Sequence, residues 1–127
     1  MGLPKHHRLR HPKAFQTVYN RGKRYQSPHL VMRVLFKADQ QQKIIPTQFG
    51  ISVSQKVSKK AVIRNLLKRQ IKAVIRVFLP RVMPGYQVVI VVKSQTRECE
   101  YEHFLRELKE LLINAEIIHG YKREHIL

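Results

Sequence analysis

The sequence predicts an α+β domain in which helices pack on one small mixed sheet, with the element order α-β-β-α-β-α. Three segments repeat apolar residues at the three- and four-residue spacing of a helix. Three others show the alternation or the continuous apolar run of a strand. The chain has 127 residues, of which 43% are hydrophobic, so we expect residues 1–127 to form a single domain with one core.

The first helix is predicted over residues 11–20. Phe15, Val18 and Tyr19 fall on one helical face. Gly22 follows at the position where a helix commonly ends. We therefore expect a short helix whose aromatic face packs on the sheet.

Two strands are predicted next, at residues 30–37 and 49–54. In the second strand, an apolar set alternates with a small or polar set. These sets are Phe49, Ile51 and Val53, and Gly50, Ser52 and Ser54. We therefore expect one face of the sheet to pack against helices and the other face to stay open.

A long helix is predicted over residues 58–79, with Ser58 as its N-cap and Pro80 ending it. One face of this helix carries a row of cations, and the opposite face is expected to lie in the core. The expected core residues are Val62, Ile63, Leu66, Leu67, Ala73, Val74 and Val77. The division is imperfect, because Ile71 and Ile75 fall inside or beside the cationic arc.

The third strand is predicted at Tyr86–Val92, a β-branched run that is typical of a strand covered on both faces. The last helix is predicted over residues 98–115, where apolar residues from Tyr101 to Ala115 form a continuous stripe. Most of the acidic residues lie on this helix or at its ends, and we interpret it as structural.

Positive charge dominates most of the chain. The formal net charge is +17, and residues 1–97 hold 21 Lys and Arg but one acid, Asp39, in a polar loop. Such an excess of positive charge attracts a polyanion, and nucleic acid is the polyanion that best fits this charge. We expect residues 1–10 to form a flexible basic N-terminus.

The composition also excludes several classes. The single cysteine, Cys99, excludes a disulfide framework and a cysteine-rich zinc site. No apolar run approaches the roughly 20 residues of a membrane span, and the N-terminus lacks the apolar core of a signal peptide. We therefore expect a cytoplasmic protein that does not contact membranes.

Cations recur every fourth residue along the long helix, at Lys60, Arg64, Lys68, Lys72 and Arg76. Like charges at this spacing repel, at a cost of a few tenths of a kcal/mol for each pair, roughly. A helix face that is merely solvated would mix acids among them. The row therefore indicates a helix that binds phosphates of a nucleic acid.

We expect no catalytic chemistry in the protein itself. With one carboxylate in residues 1–97, neither a paired-acid nuclease site nor a two-metal site can form there. The seven histidines show no spacing for a zinc site.

Residues 51–76, ISVSQKVSKKAVIRNLLKRQIKAVIR, closely resemble the signature region of the bacterial ribonuclease P protein component. Residues 3–34 resemble that family's opening, in which a basic segment precedes a short helix with Phe, an aromatic residue four positions later, and Gly. The resemblance covers essentially the whole chain. It implies a fold of the ribosomal protein S5 domain 2 type with a left-handed βαβ crossover, an exception to the usual right-handed rule.

The resemblance also implies a function. The family's protein binds a large catalytic RNA, and the complex removes the 5′ leader from precursor tRNA. The implied partners are therefore the ribonuclease P RNA and precursor tRNA, with no obligate protein partner. The RNA carries the active site, so the implied cofactor, Mg²⁺, is bound mainly by the RNA, and metal sites on the protein are left open.

On the long helix, the chain matches the family's Arg-Asn-Arg-x-Lys-Arg motif at Arg64, Asn65, Lys68 and Arg69. Leu66 stands where an Arg is usual, and we expect it to pack in the core. The residues expected to bind the catalytic RNA are Lys59, Lys60, Arg64, Asn65, Lys68, Arg69, Lys72 and Arg76.

The family's second site is a cleft between the first helix and the open sheet face, which takes the single-stranded leader. Aromatic faces stack on unpaired bases and cations follow the phosphates, so the residue types fit. The expected leader-binding residues are Arg8, Phe15, Tyr19, Arg33, Ser52, Ser54 and Lys56. For Phe15 and Tyr19, ordinary packing between helix and sheet is the alternative interpretation.

Two other functions remain open. A structural RNA-binding protein of the ribosomal type needs the phosphate-binding helix but no leader cleft. A nonspecific DNA-compacting protein would bind duplex DNA as well as it binds RNA. Competition with duplex DNA therefore separates it from the two RNA-binding functions.

Overall fold

The structure, a computed structural model, describes residues 3–37, 45–94, 96 and 101–119. Helices and strands alternate irregularly along this part of the chain. Its elements are α1 (Pro12–Arg21), β1 (Lys23–Gln26), β2 (Leu30–Phe36), β3 (Gln48–Ser52), α2 (Ala61–Phe78), β4 (Tyr86–Val92) and α3 (Tyr101–Asn114). Short 3₁₀ turns lie at Lys5–His7 and Leu79–Arg81.

Four strands form a mixed sheet in the order β1-β2-β4-β3. The β1–β2 and β2–β4 pairs are antiparallel, whereas β3 and β4 are parallel and are joined through α2. The predicted α+β class with helices on a small mixed sheet is confirmed. The left-handed sense of the crossover stays a prediction.

The predicted element order lacked β1. This edge strand has only four residues, three of them polar or charged, so it shows no apolar alternation. The helix predicted over residues 98–115 is present as α3, which is described from Tyr101 onward. Residues 98–100 of that prediction, and the predicted loop around Asp39, lie outside the described residues.

The sheet separates two apolar clusters. The larger one, under α2 and α3, holds Leu30, Met32, Val88 and Ile90 from the central strands. The smaller one, under α1, includes Leu9, Val18 and Val89. On β3, Phe49 and Ile51 belong to the larger cluster, so the other face of that strand presents Gly50 and Ser52 toward α1.

The buried face of α2 differs from the predicted one. Its buried residues are Leu67, Ile71, Val74, Ile75 and Phe78. These lie at i, i+4, i+7, i+8 and i+11, a narrow apolar stripe. Four residues expected in the core are instead exposed: Val62, Ile63, Leu66 and Val77. The prediction was wrong because it placed the core opposite the cations, whereas the core stripe lies directly beside them.

Ser58 is not the N-cap of α2. The helix begins at Ala61, and Lys60 occupies the capping position without a side-chain hydrogen bond. The Ser58 hydroxyl accepts the Lys60 backbone N–H at 3.2 Å, and the Ser58 carbonyl accepts Arg64 Nη1 at 2.9 Å. Ser58 therefore shapes the turn before the helix.

The N-terminal segment lies against the sheet, where we expected a flexible tail over residues 1–10. Leu3 and Leu9 are buried. The Leu9 N–H donates to the Phe49 carbonyl at 2.9 Å, and Arg8 forms an isolated parallel β-bridge with Phe49. Residues 3–9 thus line the free edge of β3, because the two leucines anchor an otherwise basic segment.

Glu107 on α3 is almost fully buried and ties that helix to the turn before β2. Its Oε1 accepts the His29 backbone N–H at 2.8 Å and the Ser27 hydroxyl at 2.5 Å, and its Oε2 lies 2.5 Å from His29 Nδ1. Burial alone would raise the pKa of the Glu107 carboxyl. The hydrogen bonds from His29 and Ser27 outweigh burial and hold that pKa below its ordinary value.

Candidate nucleic-acid interface

An open cleft of about 590 Å³ lies between α1 and the open face of β3. Its lining combines the exposed side of α1, the end of β3 and one cation from α2. The lining residues are Arg10, Pro12, Phe15, Gln16, Tyr19, Asn20, Ile51, Ser52, Val53 and Lys68. An aromatic, hydroxyl- and cation-bearing groove of this kind suits an extended polar chain with planar groups.

The absence of a side chain on β3 makes room for the aromatic residue of the cleft. A Cβ built on Gly50 would lie 2.8 Å from Phe15 Cε2, closer than real Cβ contacts come. The Phe15 ring therefore rests directly on the strand's backbone. Phe15 is partly buried, so it packs on the sheet and lines the cleft as well.

Tyr19 stands one helical turn beyond Phe15 and is 45% exposed. The Arg33 guanidinium carbon lies 4.6 Å from the centre of the Tyr19 ring, a cation–π contact. Arg33 comes from β2, so the helix and the sheet together position the exposed tyrosine.

A second cavity, of about 510 Å³, lies between the N-terminal segment, β3 and α2. Four cations line it, from two segments far apart in sequence: Arg8, Arg10, Lys68 and Lys72. Arg10 and Lys68 line the first cleft as well. The two cavities therefore adjoin, and their shared border is positively charged.

The cations of α2 divide into two groups by exposure. Arg64, Lys68 and Lys72 are half-buried beside the core stripe, with Lys68 and Lys72 turned toward the cavities. Arg69 and Arg76 are exposed, as is the neutral Asn65 on the same side of the helix. Lys59 and Lys60 are exposed just before the helix, where the helix dipole disfavours cations and no acid occupies the first turn.

Among the described residues, no carboxylate offsets this charge on the cleft side of the sheet. Residues 3–37, 45–94 and 96 contain no Asp or Glu. Within the described residues, Lys68, Arg69 and Lys72 form no ion pair. The described acids lie on α3 or just after it, and one of them, Glu107, is committed to His29 and Ser27.

The structure therefore unites some of the predicted site residues and separates others. Phe15, Tyr19 and Ser52 line the first cleft, Arg33 supports Tyr19, and Arg8 lines the adjoining cavity. Ser54 and Lys56 are exposed in the turn after β3 and line neither cavity.

Three residues of this region differ from expectation. Lys68, expected to bind the catalytic RNA, lines the first cleft, where leader-binding residues were expected. Arg10, which lines both cavities, was missed, because nothing in the sequence distinguishes it from the other cations of the N-terminal segment. Leu66, expected to pack, is 45% exposed.

The described residues include no group of three or more His, Cys, Asp or Glu side chains that could hold a metal ion. Mg²⁺ prefers oxygen ligands, and the cleft side of the described chain has no carboxylate to supply them. Nor does any helix in the described ranges have the length and apolar character needed to cross a membrane.

Comparison with known proteins gives a consistent result. A protein-family model described as Ribonuclease P matches residues 3–116. A ribonuclease P protein component from Rippkaea orientalis is 61% identical over 127 residues, covering both chains completely. One from Synechocystis is 56% identical over 128 residues and also covers both chains completely.

Solved structures show the same fold. The Staphylococcus aureus RNase P protein superimposes with a TM-score of 0.75 at 21% identity, covering 91% of this chain and 100% of that chain. The Thermotoga maritima RNase P protein gives a TM-score of 0.70 at 23% identity, covering 84% of this chain and 96% of that chain. With the family model and the close relatives, these matches show that the chain belongs to the family of bacterial ribonuclease P protein components.

Proposed function

We propose that this chain is the protein subunit of a ribonucleoprotein endonuclease that removes the 5′ leader from precursor tRNA. The cleft between α1 and β3 is the observation that carries the proposal. It combines aromatic rings, hydroxyl and amide groups, and cations without a carboxylate. Single-stranded RNA needs these features, because its bases stack and its phosphates carry charge.

In this proposal the leader lies along the cleft. Phe15 and Tyr19 offer ring faces to unpaired bases, and such stacking contributes about 1–3 kcal/mol per base. Arg10 and Lys68 border the cleft and would contact the backbone phosphates. Because these contacts do not read base edges, the cleft would bind leaders of many sequences.

The outer cations of α2 bind the catalytic RNA. Arg69 and Arg76 are exposed on one side of the helix together with the neutral Asn65, and Lys59 and Lys60 extend that surface at its start. Arginine can bind a phosphate through two parallel N–H donors, which also fixes orientation. Lys68 borders the leader cleft, so both RNAs would meet the protein along the same edge of α2.

Catalysis belongs to the RNA and to Mg²⁺ bound mainly by that RNA. The described residues that line the cleft include no carboxylate to ligate a metal or remove a proton, so no catalytic step is assigned to a side chain. The protein holds the leader and the catalytic RNA in one geometry and lowers the repulsion between their phosphates. The proposal places this activity in the cytoplasm, without a membrane or an obligate protein partner.

The test compares two variants in the holoenzyme reconstituted with its catalytic RNA. Phe15→Ala should weaken binding of leader-bearing precursor tRNA while leaving affinity for the catalytic RNA unchanged. Arg69→Gln should weaken affinity for the catalytic RNA instead. Arg106→Gln removes the same charge from the exposed side of α3 and serves as the control.

Equal losses for both RNAs with Phe15→Ala would favour the structural RNA-binding alternative. Cleavage of precursor tRNA by the protein alone would contradict the assignment of catalysis to the RNA. Effective competition by duplex DNA would favour the DNA-compacting alternative.

A further inference from the structure

We propose that Arg24 and Arg33 form a phosphate-binding pair that carries the single-stranded leader out of the cleft, past Tyr19, to the edge of the sheet. The inference rests on the proposed function and extends the path of the same RNA strand. It adds Arg24, a residue of the edge strand β1 that lines neither cavity.

The strand register brings the two arginines together. Arg24 lies directly opposite Arg33 in the antiparallel β1–β2 pair. Directly opposed residues project from the same face, with Cβ atoms about 4.5–5.5 Å apart. That face is the α1 side of the sheet, because the Arg33 guanidinium lies 4.6 Å from the Tyr19 ring.

This pairing is unfavourable for the free protein. Like charges directly opposite one another destabilise a sheet. Within the described residues no Asp or Glu precedes α3, so none of these residues supplies a carboxylate that would relieve the repulsion. In the described part of the chain, the Arg33 Nε is buried without a hydrogen-bond partner, and the Arg24 guanidinium donates a 3.3 Å hydrogen bond to Gln26 Oε1.

An anion between the two guanidinium groups would relieve this repulsion. A phosphodiester offers acceptor oxygens to both arginines and neutralises their mutual repulsion. Gln26 shares the Arg24 face of β1 and accepts from its guanidinium, so it orients Arg24 without neutralising it.

The position of the pair identifies the anion as part of a polymer. The cleft follows α1 from Arg10 and Pro12 at one end to Tyr19 and Asn20 at the other. The helix ends at Arg21, and β1 begins two residues later. A strand that leaves the cleft beside Tyr19 therefore meets Arg33 and then Arg24.

The experiment measures affinity of the reconstituted holoenzyme for precursor tRNAs whose leaders are lengthened one nucleotide at a time. With the unmodified protein, affinity should rise until the leader passes the pair. Arg24→Gln should lower affinity about two- to fivefold for the long leaders only. It should also lower the slope of log affinity against log salt by roughly 0.7, the loss of one phosphate contact on a single strand.

Lys23→Gln is the matched control. It removes the same charge one residue away, but Lys23 points to the opposite face of β1, over Tyr25 at 5.5 Å. Unchanged affinity with Lys23→Gln and a length-dependent loss with Arg24→Gln support the pair. Equal losses for the two variants, or a loss at every leader length, overturn the pair. Either result would mean that Arg24 acts only through the long-range electrostatic attraction between the basic protein and RNA.

A second variant separates contact from misfolding. Arg24→Glu places an opposite charge across from Arg33 and should raise the melting temperature of the free protein while weakening long-leader binding further. A lower melting temperature would overturn the inferred repulsion.

Failure of this inference is distinguishable from failure of the proposed function. If leader length does not alter affinity even with the unmodified protein, the proposed leader site fails and the pair fails with it. If affinity rises with length and Arg24→Gln leaves the rise intact, the arginine pair alone is overturned.

Discussion

The Phe15 ring occupies the space that a side chain on Gly50 would need, with Cε2 at 2.8 Å from the position of a Cβ. One aromatic residue of the cleft is therefore placed by a glycine on the facing strand. The contact links α1 to β3 beside the cleft that Phe15 lines.

The first prediction concerns that contact. Gly50→Ala should push the Phe15 ring out of its position and weaken binding of leader-bearing precursor tRNA about as much as Phe15→Ala does. Affinity for the catalytic RNA should not change, because α2 keeps its exposed cations. Parallel binding measurements with both RNAs check this. Ser94→Ala, at an exposed position that lines neither cavity, is the control and should leave both affinities unchanged.

The elements with local patterns could be predicted from the sequence. The alternation on β3 placed Gly50 and Ser52 opposite the core, and the structure confirms it. The apolar run of β4 and the stripe of α3 are likewise present. In these elements each residue's neighbours in sequence decide which face it occupies.

Features that depend on distant partners could not be predicted. Glu107 looked like one acid among several on a structural helix, yet its partner His29 lies 78 residues away in sequence. The buried face of α2 depends on where the sheet and α3 contact it. Both Leu66 and Ile71 satisfied helical spacing, and only tertiary packing distinguishes the exposed leucine from the buried isoleucine.

Arg10 provides the second prediction, because it lines both cavities. Arg10→Gln should weaken binding of leader-bearing precursor tRNA and leave binding of mature tRNA nearly unchanged, since the proposed function places only the leader in the cleft. Comparing the two affinities at one salt concentration measures the effect. Lys13→Gln removes the same charge from an exposed position on α1 that lines neither cavity; an equal loss with this control would contradict a specific role for Arg10.

Leu66 provides the third prediction. It is 45% exposed and stands where the family motif has arginine, so its replacement costs little packing. Leu66→Arg should tighten binding to the catalytic RNA and steepen the salt dependence by roughly one phosphate contact, about 0.7–0.9 in slope. The stability of the free protein should change by less than about 0.5 kcal/mol. Leu66→Gln controls for loss of the apolar side chain, and an equal gain with Gln would exclude a charge effect.

The fourth prediction tests how Arg69 binds. If it holds a phosphate through two parallel N–H donors, Arg69→Lys should keep the salt slope but lose affinity for the catalytic RNA, because lysine retains only the charge. Arg69→Gln should lower both the affinity for the catalytic RNA and the slope of its salt dependence. Salt titrations of the three proteins separate the two effects. Full affinity with lysine would show that Arg69 contributes charge alone.

The fifth prediction concerns pH. The pKa of Glu107 lies below its ordinary value in the folded protein, so the unfolded chain binds its proton more readily. The stabilisation from this carboxylate is therefore fully present above its unfolded-state pKa of roughly 4.3, and it is lost as pH falls through the lowered folded-state pKa. Glu107→Gln should cost about 1–3 kcal/mol at neutral pH, because it leaves His29 and Ser27 poorly paired.

Urea unfolding across a pH series measures this difference. The gap between the unmodified protein and Glu107→Gln should begin to narrow as pH falls below about 4.3, where the unfolded chain takes up the proton. It should be lost once pH has passed the lowered folded-state pKa, because the carboxyl is then protonated in both states of the unmodified chain. Glu110→Gln, at an exposed position on the same helix, should change stability by less than about 0.5 kcal/mol. A gap that stays constant with pH would show that Glu107 acts through its shape and not through its charge, and that its bonds to His29 do not depend on ionisation.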